Sequence, residues 1–135
     1  MRKSEFDASK RNLINITKPP ADANNVATST VVPNPFPLSR VDAGSLVHNY
    51  GATGSATANL PTDAAIGEKF SVQEVAAQNI VMDPGANGIF IDGATTSTAG
   101  QKLTASAVAS SVELICIDAG PTWLLRGKSG TWAIA

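Results

Sequence analysis

"SVELICIDAGPTWLLRGKSGTWAI", residues 111–134, decides the fold. From Ser111 to Ile117 the side chains fall into two alternating sets, with Val112, Leu114 and Cys116 on one side and Glu113, Ile115 and Ile117 on the other. Side chains of a strand point to opposite faces with a period of two, so this is a strand with one apolar face and a second, partly covered one. "DAGPT" (118–122) supplies turn chemistry, "TWLLR" (122–126) a second strand, and "GTWAI" (130–134) a third. "GKSG" (127–130) reads as a hairpin turn between the two strands that carry tryptophan.

The same grammar holds upstream as far as about Val41. "GSLVHNY", "SATANL", "EKFSVQEVA", "NIVMD", "GIFID" and "QKLTASAV" are short period-two or β-branched segments, and "GATG", "PTDAAIG", "DPGANG" and "DGATTSTAG" separate them with Gly, Pro, Asp or Asn. In "EKFSVQEV", Phe70 and Val72 alternate with Lys69, Ser71 and Gln73, which buries one face and wets the other. Nine such segments in one stretch predict an all-β fold, a compact β-sandwich or barrel-like domain over 41–135. Strands apolar on both sides and a small core favour a homo-oligomer.

Residues 1–40 differ. Five of the eight prolines fall there (Pro19, Pro20, Pro33, Pro35 and Pro37), and proline excludes a long helix. "SEFDASKRNLINI" (4–16) fits a short helix or a strand, and the rest reads as an extended N-terminal arm. Its apolar residues are too few for a core and too many for a solvated linker, so the arm is expected to lie on another surface, of the domain or of a neighbouring subunit.

Composition narrows the function. The chain has 135 residues, enough for one core; 16% are charged and 5% aromatic, so the surface must be rich in Thr, Ser, Asn and Ala. Residues 1–18 carry five basic and two acidic side chains, a net +3, and the remainder five and nine, a net −4, giving −1 overall. A basic cluster interleaved with aromatics is lacking, so direct nucleic-acid binding is not expected, and no apolar run of membrane-spanning length or secretory leader is read.

Reactive groups are sparse. The lone Cys116 excludes an internal disulfide and a CxxC site, and its apolar neighbours mark a buried thiol. His48 is the single histidine, which leaves no histidine cluster for a metal, and no G-x-S-x-G elbow accompanies it. "GKSG" lacks the earlier glycine of a P-loop, since Thr122 stands five residues before Gly127. Asp83, Asp92 and Asp118 adjoin glycine-containing turns; turn duty is the first reading, and Ca²⁺ ligation the second. Trp123 and Trp132 either finish a core or offer a stacking platform. No catalytic residue, cofactor or metal site is assigned.

The runs "VDAGSLVHNYGATGSATANLPTDAAIGEKFSVQEVAAQNIVMDPGANGIFIDG" (41–93) and "VELICIDAGPTWLLRGKSGTW" (112–132) together resemble a small β-domain of tailed-bacteriophage virion structural proteins, of the capsid decoration (cement) or head-fibre type. Asn49, Gly51 and Ala52, Leu60 and Pro61, Gly67, Phe70, Ile80 before "DPG", Val112, Leu114, Trp123, Gly130 and Trp132 carry the resemblance, in that order. It implies a homotrimer in the virion, on the capsid surface, that is made in the bacterial host cytoplasm and is not itself an enzyme. Its partner would be the major capsid protein, gripped through Leu13, Ile14, Ile16, Val31, Val32, Phe36 and Leu38 of the arm. The alternative expectation is a tail or head-fibre adhesin module that holds host-surface glycan.

Overall fold

A computed structural model of the chain describes residues 13–19 and 31–135. Among the described residues, twelve strands form two sheets. They are β1 (Leu13–Asn15), β2 (Phe36–Pro37), β3 (Leu46–His48), β4 (Ala56–Asn59), β5 (Lys69–Gln73), β6 (Ile80–Asp83), β7 (Ile89–Asp92), β8 (Thr95–Thr96), β9 (Leu103–Ala105), β10 (Ser111–Asp118), β11 (Thr122–Ser129) and β12 (Trp132–Ile134). The larger sheet has the order β1-β3-β5-β10-β11-β7-β8 and the smaller β12-β9-β6-β4-β2, which makes the expected all-β, sandwich-like domain.

Pairing shows how the chain winds. β1, β3 and β5 are successive parallel neighbours in the larger sheet, and β2, β4 and β6 in the smaller. A parallel pair needs a crossover, and here each crossover is a strand of the opposite sheet. The first six strands therefore describe three coils of a β-solenoid, in which each coil contacts its neighbour through both sheets. Antiparallel strands close the stack, β10 on β5 and β9 on β6.

In-register rows of apolar side chains fill the space between the sheets. From the larger sheet come Ile14, Val47, Val72 and Val112 in one row and Cys116, Trp123 and Phe90 in another, all buried. From the smaller come Phe36, Ala58, Met82 and Leu103, where Ala58 separates two bulky neighbours. Ala56 and Ala58 of "GATGSATANLP" thus leave room between the sheets for bulkier neighbours. Trp123 stands against Phe70 with ring centroids 6.0 Å apart and tilted by 59°, within the preferred range for aromatic pairs.

Two expectations change. Gly127, Lys128 and Ser129 are part of β11, whose neighbour is β10, whereas β12 belongs to the other sheet and pairs with β9. "GKSG" is therefore the end of a strand and a crossing between sheets, not a hairpin turn. Gly127, at φ +61°, sits in a bulge where two residues of β11, Gly127 and Lys128, oppose Val112 alone of β10, a conformation that glycine adopts without steric cost. The second change concerns the arm. β1 and β2 are strands of the two sheets, so residues 13–15 and 36–37 of the expected arm pair within the domain, while residues 1–12 and 20–30 of that arm lie outside the described residues. A strand of two or three residues beside a parallel partner leaves too short a pattern to read.

Candidate interaction surfaces

Polar side chains inside the molecule serve its corners. Asn49 follows β3 and is fully buried. Its Oδ1 accepts the N–H groups of Val75 (2.7 Å) and Ala76 (3.0 Å), and its Nδ2 donates to the carbonyls of Gln78 (2.9 Å) and Ala76 (3.4 Å). One amide thereby supplies partners to the turn of the next coil, which buried backbone requires. Glu74 holds the matching place after β5 and is 2% exposed. Its N–H donates to the Ser110 carbonyl and its own carbonyl accepts from Ala109, but its carboxylate Oε1 has no hydrogen-bond partner among the described residues. Burial pushes its pKa up.

The residues considered for chemistry have structural duties. His48 faces outward between Asn15 and Gln73, its Nδ1 accepts the Tyr50 N–H at 3.1 Å, and burial lowers its pKa. Cys116 is fully buried with its thiol 3.3 Å from the Asp118 carbonyl, and burial raises its pKa, which opposes thiolate chemistry. Asp83 accepts the Gly85 N–H, Asp118 accepts the Ala119 N–H, and Asp92 pairs with Lys128 at 2.6 Å. The three aspartates are thus dispersed in separate turns and pairs, and no cluster of three or more metal-ligating side chains occurs among the described residues. Trp123 is in the core, while Trp132 is half-buried against it and donates Nε1–H to the Ser129 and Ser111 carbonyls.

Of the seven arm residues, Ile14, Ile16, Phe36 and Leu38 are buried among the core residues of this same chain. A side chain packed between its own sheets is closed to another protein, so these four leave the set of candidate contacts. Leu13, Val31 and Val32 are exposed at 62%, 69% and 42%. Leu13 lies on β1, the edge of the larger sheet, and Val32 lines a groove of about 340 Å³ with Ile16, Thr17, Asn34 and the 51–56 loop. All three belong to the first coil, which no other described strand covers.

The outward faces of the two sheets differ in chemistry. On the smaller sheet, one row reads Thr57, Val81, Thr104 and Ala133, and the next Pro37, Asn59 and Asp83. On the larger sheet, Lys69, Ile115, Leu124 and Ile91 are aligned across four strands, with Ile117 on the same face of β10. Alongside runs Leu13, Leu46, Ser71, Glu113 and Arg126, and beyond it Asn15, His48, Gln73, Ser111 and Ser129. Apolar side chains on the outer side of a sheet were legible in "SVELICI", but their alignment with Leu124 and Ile91 depended on pairing that the sequence does not encode locally. No protein-family model and no curated protein sequence matches the chain.

Proposed function

We propose that the chain is a bacteriophage capsid decoration (cement) protein, a homotrimer that binds the major capsid protein and stabilises the head shell. The motif resemblance suggests the class, and the observation that carries the mode of attachment is the exposed apolar set Leu13, Val31 and Val32 on the first coil. Attachment then uses the first coil and its edge strand; the backbone groups of an edge strand can accept an added strand, and apolar burial contributes roughly 25 cal/mol per Å² before ordering costs. Three copies in one particle-bound unit would add avidity.

Cryo-electron microscopy of the intact virion tests this. Density on the capsid, with the first coil against the major capsid protein, is the expected result, together with lower survival of particles lacking the protein on heating or in low salt. Density at a tail tip overturns it and favours the glycan-binding reading. That second reading has lost its tryptophans to the core and its edge, and rests on Tyr50, which is 66% exposed beside the polar Asn15 and His48 row. A Tyr50→Ala variant that abolished binding to host-surface glycan would favour it.

A further inference from the structure

We infer that the groove on the outward side of β3, β5, β10 and β11 is a binding site for a neutral, hydroxyl-rich ligand of the saccharide class. The site is separate from Tyr50 and from the first coil, and it does not depend on the decoration reading.

The hollow follows from side-chain size. Two outward rows cross the strands, one of Leu46, Ser71, Glu113 and Arg126 and one of His48, Gln73, Ser111 and Ser129. Ser71 and Ser111 are small, and Gly127 at the bulge has no side chain; a Cβ added there would meet nothing within 4 Å. The longer side chains of Leu46, Gln73, Glu113 and Arg126 stand around them and border an open groove of about 420 Å³. Small-molecule sites span roughly 300–1,000 Å³, so the groove has room for a sugar.

Its polar groups are uncommitted. Elsewhere such side chains are bound to the protein itself: Asn15 to Thr17, Asn34 to Thr57, Asn49 to the next turn, Ser97 to Phe90 and Ser110 to Thr131. In the groove, the hydroxyls of Ser71 and Ser111 and the amide of Gln73 have no hydrogen-bond partner among the described residues. Glu113 lies between Lys69 and Arg126, each 3.7 Å from its carboxylate, an ion-pair distance too long for a hydrogen bond. The carboxylate is held in place while its acceptor positions stay open.

These groups define the ligand. An aliphatic molecule would strip water from the polar side chains and return no hydrogen bond. An anion would meet Glu113 and a cation Arg126, and the two lining charges cancel. Adjacent hydroxyls suit both, because each donates to the carboxylate and accepts from the guanidinium, the Gln73 amide or a serine hydroxyl. Leu46 offers an apolar contact to the C–H groups of a sugar ring.

Amide NMR of the purified full chain tests the assignment, with methyl glycosides of glucose, galactose, mannose and N-acetylglucosamine added to about 50 mM, since an open polar groove binds on the millimolar scale. The expected result is saturable shifts at Ser71, Gln73, Ser111, Glu113 and Gly127 with at least one of these sugars. Binding should weaken by about tenfold in Ser71→Leu, which fills the hollow, and in Glu113→Gln, which removes the charged acceptor. No saturable shift with any of the sugars overturns the site, as does full affinity in both variants. Saturable shifts centred on Tyr50 and Gly51 overturn it in favour of the Tyr50 reading. Glucuronate or glucosamine binding more tightly than every neutral sugar overturns the ligand class. Should Ser71→Leu unfold, Glu113→Gln and the wild-type shift map decide. Each of these outcomes leaves capsid attachment through the first coil to its own test.

Discussion

Asn49 and Glu74 occupy equivalent corners of consecutive coils, one residue past β3 and β5, and both are buried. Asn49 has a following coil to serve, and its side-chain hydrogen bonds are all directed at residues 75–78. Glu74 has none. The segment around Ala109 and Ser110 takes the place of the next coil and satisfies the backbone of Glu74, yet it leaves one carboxylate oxygen unpartnered. A solenoid corner is thus stabilised by its successor, and where the winding stops a polar side chain of the same type of position becomes a cost.

The largest effect is expected for Asn49→Ala, which strands two N–H groups and two carbonyls of the next turn. A loss of about 3 kcal/mol, or roughly 10 °C in Tm, should appear in thermal unfolding; a loss under about 1 kcal/mol would sink the account of this corner. Gly130→Ala comes next, at about 2 kcal/mol by urea unfolding. Gly130 has φ +86°, and an added Cβ would lie 2.5 Å from the Ser110 Cα, in the segment that closes the Glu74 corner. Wild-type stability from Gly130→Ala would mean that this closure is loose.

Glu74→Gln should act in the opposite direction, stabilising the protein by about 1 kcal/mol at neutral pH, since a neutral amide is less costly to bury than a carboxylate. The pH profile supplies the sign. A carboxyl whose folded pKa is raised binds its proton more tightly in the folded state, so its contribution is complete below the unfolded pKa and is lost as pH rises through the folded one. The variant should flatten that decline; an unchanged profile would show that Glu74 is solvated. His48 works the other way, its lowered pKa removing stability as pH falls, so the two groups are separable in one titration. Val75→Thr should be the mildest, within about 0.5 kcal/mol in the same unfolding assay, because the corner uses the backbone N–H of Val75 and its side chain is 40% exposed. A larger loss would assign the corner to side-chain packing.

Much of the architecture was legible because alternation is local. Val112, Leu114 and Cys116 face inward as their spacing demands, and the nine segments read from 41 onward are all strands. The winding was not legible, because parallel and antiparallel strands share one period of two. β2 escaped for the same reason and β1 stayed undecided between helix and strand, since the pairing of Leu13 with Leu46 or Phe36 with Ala58 is stated nowhere near either residue. Residue type also misled: "GKSG" holds good turn residues, but Gly127 uses its freedom for a bulge inside β11. Asn49 went unrecognised as a buried clamp since an asparagine after "LVH" looks the same whether it meets water or the next coil. The strip on the larger sheet was half visible, through Ile115 and Ile117, and needed Leu124 and Ile91 to become a surface.

Through β6 the chain lays down its two sheets alternately, one strand to each in turn. Neither sheet can therefore be completed while the other is absent, and neither can be peeled away without unwinding the coils that feed both. Opening should accordingly be global: amides of β3 and β5 in one sheet and β4 and β6 in the other are expected to exchange with deuterium at a common free energy, as a single cooperative unit. Fraying is left to the outermost strands, such as the two-residue β2 and β8, where the winding begins and where the larger sheet ends.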